Sequence, residues 1–407
     1  MSNKAKREYL EAILPRYRHA SKKEKQSILD EFCRVCNYNR KYAIRLLRSK
    51  LRGRAHQQPQ TTQTGRAGRP KQYDDPQLLE FLTRLWRAMN LACSKRMKAA
   101  IPLWLPSYNR PIKRKTLDLI LKISPPTIDR LLRPSRSRYS KLGLATTKPG
   151  SLLKKHIPIK TNQWDEHIPG FLEADTVAHC GTSMAGMFAF TVNTTDIATG
   201  WTEQAAVWGK GEQGVLEAIH DIEARLPFRV RGFDCDNGGE FLNWPLLKYF
   251  THRHRPVQYT RSREYQKNDN AHIEGKNWTH VRQYLGYQRF EDKRIVLMLN
   301  ELYRSEWRLF VNFFLPQVKL IAKERIASKT VKKHDRPQTP LQRVLASPKI
   351  KPEVKRQLRQ TLQTLDPFLL QQQVSLKIKN ILRLATPLPF KEGPELASQQ
   401  PNSYHRA

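Results

Sequence analysis

Apolar residues fall into separate helical and strand-like blocks along the 407-residue chain. From Ser21 to Ser49, Ile28, Leu29, Phe32, Cys33 and Cys36 share a helical spacing, and Ala43, Ile44 and Leu47 resume it after a break at Asn37–Asn39. Two short helices with a tight turn and a basic second member predict a helix-turn-helix within residues 1–52. Residues 53–72 are nearly devoid of apolar side chains and rich in Gln, Thr, Gly and Pro, as a flexible basic linker is. A second helical module spans 73–138. Leu78, Phe81, Leu82, Leu85, Trp86 and Met89 line one face of its first helix. Ser124 and Pro125 open a later short helix, which carries Arg130 and Arg133 and is expected to close at Pro134. Another basic linker fills 139–164.

The pattern then changes to period two. FLEADTV, MFAFTVNT and GWTEQAAVW read as a strand meander, followed by helix EQGVLEAIHDIEARL, strand RVRGFDCD and helix FLNWPLLKYF. Strand PVQYT and helix DNAHIEGKNWTHVRQYLGY complete an order βββαβαβα over 165–290, a mixed α/β layer. Residues 291–382 read as a helical C-terminal region, with one long helix to about 327, and 383–407 as a disordered tail.

Charge sharpens this division. The net charge is +37, yet residues 1–150 carry +25, residues 165–295 carry −3 and residues 296–407 carry +12. Basic arms around a roughly neutral centre imply a polyanionic partner, nucleic acid above all, and a centre that uses its carboxylates for something else. Five scattered cysteines argue against a disulfide framework. No apolar run of membrane-spanning length and no signal-peptide pattern occurs, so the expectation is a cytoplasmic, nucleoid-associated bacterial protein without a membrane partner. Cys33 and Cys36 form a CxxC, but both fall on an apolar helix face with His19 alone upstream at a usable distance. They read as structural, and zinc is not expected.

Three acids in the central segment stand where a core would not choose them. Asp175 is mid-strand, where aspartate has poor propensity. Asp236 ends a strand before Asn-Gly-Gly, and Glu274 lies on the last helix. At α-helical pitch Trp278, Val281 and Leu285 fall within about 40° of Glu274, which would put the acid on the apolar stripe and require a partner for its charge. Three converging hard-oxygen ligands suit Mg²⁺ or Mn²⁺, two ions per site, in an in-line phosphoryl transfer. Asp234 and Glu173 share strand parity with Asp236 and Asp175. Asp234 reads as an outer or exposed residue and Glu173 as an auxiliary one.

FLEADTV, CDNGGEF and NDNAHIEGKNWTHVRQYLGY, in that order, resemble the signatures of the DDE transposase and retroviral-integrase catalytic core. The 37 residues between Asp236 and Glu274 are close to that family's spacing, and the last signature resembles bacterial insertion-sequence transposases. The resemblance covers about 165–290 and implies an RNase H-like fold with a mixed five-stranded sheet. It also implies Asp175, Asp236 and Glu274 as catalytic metal ligands. The expected activity is a DNA transposase that cleaves element ends and joins the 3′-hydroxyls to target DNA. Its partners would be double-stranded terminal inverted repeats and target DNA, bound by a homo-oligomer. Arg130, Arg133, Lys267, Asn270, Lys276 and Arg282 are the candidate DNA contacts. Two readings compete: an RNase H-like nuclease without strand transfer, and a catalytically dead DNA-binding regulator.

Overall fold

The computed structural model describes residues 2–51, 72–136, 166–262, 271–326 and 329–386. Both expected linkers fall almost wholly outside this set, as do Lys267, Asn270 and most of the tail. The chain divides into two compact units, Met1–Gln72 and Tyr73–Ala407.

The first unit has three helices: α1 (Asn3–His19), α2 (Lys22–Cys36) and α3 (Arg40–Leu51). Ser21 and Glu24 form a reciprocal capping box that starts α2, and Asn37, at φ 52°, ends it in the left-handed region. Leu10, Ile13, Ile28, Leu29, Phe32, Cys36, Ala43 and Leu47 close the core. The apolar period had shown α2 and α3. It had not shown α1, whose Pro15 lies inside the helix and interrupts the expected text.

The second unit is built on a five-stranded mixed sheet in the order β3-β2-β1-β4-β5. Its strands are β1 (Phe171–Ala178), β2 (Ala189–Asp196), β3 (Thr202–Trp208), β4 (Gly232–Cys235) and β5 (Gln258–Arg261). β1, β2 and β3 form an antiparallel meander, whereas β4 and β5 join β1 in parallel. The crossovers are α8 (Glu212–Arg225) and α9 (Trp244–Thr251). This is the mixed α/β arrangement that the strand periods predict. Side-chain alternation gives the sheet two characters. Leu172, Ala174, Val192, Ala205, Phe233 and Cys235 share a core with Val215, Ile219 and Phe250 of the crossover helices. The opposite face carries Glu173, Asp175, Asn193 and Asp234, and it meets α10 (Ala271–Lys276) and the turns that follow it.

Beyond α10 the helix widens into a π-helical stretch, Asn277–Arg282, and ends in α11 (Gln283–Leu285). The expected long helix begins as α12 (Lys293–Leu302) but ends at Phe314, after further π turns. A hairpin of β6 (Leu320–Ile326) and β7 (Lys329–His334) follows, so the C-terminal region is not helical throughout. Helices α13 (Pro340–Ala346), α14 (Pro352–Gln363) and α15 (Pro367–Leu384) complete it, and Thr386 bridges to Arg289 beyond the expected start of the tail.

Helices α4 (Pro76–Ala88), α5 (Ser94–Trp104), α6 (Arg114–Lys122) and α7 (Pro125–Arg136) do not close a core of their own. Trp104 stacks edge-on with Phe310, Phe314 and Phe368 at centroid distances of 6.2, 6.3 and 4.9 Å. Its indole N–H donates to the Phe314 carbonyl at 3.0 Å. One apolar cluster therefore runs through residues 78–132 and 281–385. α7 also continues through Pro134 instead of stopping there. Among the described residues no helix is long and apolar enough to cross a membrane.

Candidate active site

Asp175 and Asp236 are brought side by side by the parallel register of β1 and β4. Ala174 pairs with Cys235, and the next step along each strand is an aspartate. Each carboxylate accepts hydrogen bonds that fix it. The Asn277 amide donates to Asp175 Oδ2 at 2.6 Å and the Thr176 N–H to Oδ1 at 2.7 Å. The Gly238 N–H donates to Asp236 Oδ1 at 2.9 Å. A Cβ at Gly238 would lie 2.6 Å from Glu240 Oε2 and 2.9 Å from Asp236 Oδ1, so the glycine is what lets the turn pass between two acids.

Glu240 is the acid that sequence reasoning missed. It is 6% exposed, accepts from Thr176 Oγ1 at 2.8 Å and pairs with Lys210. Its one local signal was an acid set between the glycine turn and the apolar pair Phe241–Leu242. Burial, and then the charge of Asp236, raise the Asp175 pKa to about 7. Burial and the charge of Glu240 push Asp236 up too, against the Gly238 N–H and Lys210.

Glu173 and Asp234, two residues back along the same strands, are fully enclosed, which excludes the exposed alternative for Asp234. Thr260 donates its hydroxyl to Asp234. Glu173 Oε2 accepts the N–H groups of His272 and Ile273 at 3.1 and 3.0 Å, so it caps α10 and sets that helix on the acid face. Burial outweighs these bonds and holds the Glu173 carboxyl well above the usual carboxylate range.

Glu274 is exposed, not part of a buried stripe. The straight-helix projection fails because the π turn spreads its hydrogen bonds over an extra residue and rotates Val281 and Leu285 away from the acid. Ile273, His280, Val281 and Leu285 are the buried residues. Glu274 still stands one turn before Asn277, whose amide reaches Asp175, and its charge is felt at Glu173. The structure thus brings Asp175 and Asp236 together, while Glu274 stands exposed on α10, the helix that Glu173 caps.

The candidate DNA contacts divide. Arg130 and Arg133 are exposed on α7. Lys276 and Arg282 are turned inward, contrary to the expectation that they leave the helix for phosphates. Lys276 donates to the Gln317 side chain. Arg282 donates to the Ala178 carbonyl at 2.7 Å and lies over the Tyr287 ring, and its guanidinium ties the π turn to the end of β1. Arg282 lies within the π turn, whereas Lys276 precedes it on α10, about 200° around the helix from exposed Glu274.

Hard carboxylate oxygens that repel one another across adjacent strands are the donor chemistry a divalent cation relieves, so Asp175 and Asp236 fit Mg²⁺ or Mn²⁺. Among the described residues no three His, Cys, Asp or Glu side chains are already gathered closely enough to hold an ion. Glu274 would have to swing in from its exposed position.

The metal-free protein should lose stability as pH rises from about 4 to about 7. Over that window native Asp175 keeps a proton that the unfolded chain, with a value near 3.8, has released, at a cost on the order of 4 kcal/mol by pH 7. Urea unfolding across that range in a chelator, for wild type and Asp175→Asn, checks this. The variant should show a shallower decline, with the remainder belonging to Glu173 and Asp236.

No family model matches the chain. A cryo-electron-microscopy structure of the simian T-cell lymphotropic virus intasome in complex with PP2A regulatory subunit B56 gamma is 12% identical, covering 58% of this chain and 71% of that one, with a TM-score of 0.31. The catalytic core domain of BIV integrase is 14% identical over 35% of this chain and 83% of its own, with a TM-score of 0.24. Scores this low add nothing to what the sheet order itself shows. The uncharacterized protein y4rM of Sinorhizobium fredii (strain NBRC 101917 / NGR234) is 37% identical over 343 residues, which cover 83% of this chain and 94% of that protein. Identity at this level over nearly the whole of both proteins means that the chain belongs to the y4rM family.

Proposed function

We propose that this protein is a DNA transposase, a polynucleotidyl transferase that cleaves the ends of its element and joins the freed 3′-hydroxyls to target DNA. The observation that carries the reading is the adjacent pair Asp175 and Asp236, paired through strand register, held by Asn277 and Gly238, and kept from ordinary ionisation by burial and by the charges of neighbouring acids, Asp236 on Asp175 and Glu240 on Asp236. Asp175 and Asp236 would hold the metal, with Glu274 as the ligand that completes the set. Two bound Mg²⁺ or Mn²⁺ ions would supply Lewis acidity to the attacking and leaving oxygens of an in-line displacement.

The remaining work falls to the chain. Asn277 fixes the Asp175 carboxylate in one rotamer, and Gly238 does the same for Asp236. Glu173 anchors the amino end of the helix that carries Glu274. Lys210 offsets the acids while no cation is bound. The helices of the first unit, and α7 through Arg130 and Arg133, would bind the terminal repeats, with the two ends brought together by a homo-oligomer.

Incubation with Mg²⁺ and DNA carrying the repeats that flank the coding region tests the proposal. Joined products are expected. Nicked DNA alone would indicate a nuclease, and shifted but uncut DNA a regulator.

A further inference from the structure

A cavity of about 360 Å³ lies beside α10, between α5, the end of β2 and the base of the hairpin. Its lining is strongly unbalanced in charge. Arg96, Lys276 and Lys319 contribute three cations, and His272, His280 and His334 three imidazoles. Asp196 is the sole lining carboxylate, and its oxygens are already engaged. Oδ1 accepts the Gly170 N–H at 2.7 Å, and Oδ2 accepts the Thr199 N–H and O–H at 2.8 and 2.6 Å.

Each cation donates to a neutral acceptor, and Lys319 alone of the three also feels carboxylate charge, from Asp196 and Asp335. Arg96 Nε donates to the Pro316 carbonyl at 2.6 Å, Lys319 Nζ to the Ala198 carbonyl at 2.8 Å, and Lys276 to the Gln317 side-chain oxygen. Within the described residues, neither Arg96 nor Lys276 has a carboxylate partner. His280 is 3% exposed; its Nδ1 is bonded to Thr279 Oγ1 at 2.7 Å, and its Nε2 has no hydrogen-bond partner among the described residues. The side-chain nitrogen Nε2 of Gln317, also in the lining, likewise has none among the described residues.

Cations gathered in a partly enclosed space repel one another and lose hydration, a cost that carbonyl oxygens offset only in part. An oxyanion with several oxygens and more than one negative charge would neutralise them and give the idle polar atoms a partner. We infer that this cavity is a phosphate-binding site, taking a phosphomonoester or diphosphate group between Arg96, Lys276 and Lys319. The volume is many times what one water needs, so a diphosphate has room. The inference stands apart from the reading of Asp175 and Asp236, since neither acid lines the cavity. It also gives inward-facing Lys276 a ligand.

Thermal melts of the full chain in sodium diphosphate, against chloride at matched ionic strength, test it. Wild type should show a saturable rise of a few degrees. Arg96→Gln and Lys276→Met should each lose that rise. Lys276→Met should melt no lower than wild type in chloride, because it removes a poorly compensated charge, so a lost response in a protein that melts normally cannot be put down to misfolding. Competition for the bound diphosphate, followed by ³¹P resonance, separates the sources. Displacement by a 5′-phosphorylated oligonucleotide, but not by its 5′-hydroxyl counterpart, would identify a DNA terminus as the ligand, and displacement by neither a free phosphate compound. An equal rise in wild type and both variants, or none above the chloride control, would overturn the inference.

Discussion

Asp236→Asn is expected to reduce end cleavage and strand joining at least about a thousandfold, a loss of about 4 kcal/mol of transition-state stabilisation, while end-specific DNA binding stays unchanged. The amide preserves the shape of the side chain and can still accept the Gly238 N–H, so the turn after β4 should survive. What it loses is the anionic oxygen that a divalent cation requires. A second consequence is particular to this site. Asp236 is the charge that does most, after burial, to raise the Asp175 pKa, so in the variant Asp175 should ionise at lower pH. Gel assays of cleavage and joining, beside mobility shifts with the same DNA, measure both halves of the prediction. Activity within tenfold of wild type would remove Asp236 from the metal set. Glu240 would then be the next candidate, because its charge reaches Asp236 whereas Asp234 is enclosed beside Thr260.

The second large effect concerns the fold. Deleting residues 1–72 should leave the melting of the larger unit nearly unchanged, because the two units have separate cores. Deleting residues 1–136 should abolish cooperative folding. That cut removes Leu82, Leu85, Ile101 and Trp104, all essentially unexposed, from the cluster that also holds Phe310 and Phe314. Loss of the Trp104 side chain alone is worth about 3–5 kcal/mol, against a total stability on the order of 5–15 kcal/mol for a typical domain. Circular-dichroism melts of the two truncations decide the matter. A fragment of residues 137–407 that melts cooperatively like wild type would show that the second helical module is dispensable to the core, as its separation in the sequence had suggested.

The local parts of this architecture were legible because local chemistry sets them. Alternation marked the strands, and the turn after Cys235 was announced by Asn-Gly-Gly. Asp175 and Asp236 stood out as polar residues that a sheet core has no use for, and the structure puts them together. Features that depend on contacts far apart in sequence were not legible. Nothing in the period of α5 says that Trp104 meets Phe310, over two hundred residues away. The partnership of Glu240 with Lys210 and Thr176 is invisible in the motif that contains it. The π turn after α10 had the largest effect. It shifted Val281 and Leu285 off the predicted stripe with Glu274 and directs Arg282, and no composition rule marks such a turn. Lys276, two residues after outward-facing Glu274 on α10, faces inward by ordinary helical pitch. Glu173 acquired a role that its parity with Asp175 only hinted at, as the cap of the helix above it.

The central claim is that Asp175 and Asp236 together hold divalent metal for phosphoryl transfer. Calorimetric titration of Mn²⁺ into the full chain bound to terminal-repeat DNA tests it most directly, with Asp175→Asn, Asp236→Asn and Glu274→Gln run alongside. The account predicts saturable binding of two ions per site in wild type, near-complete loss of at least one ion in either aspartate variant, and weakened binding in Glu274→Gln. Mn²⁺ binding in Asp175→Asn and Asp236→Asn that matches wild type in stoichiometry and affinity would contradict it.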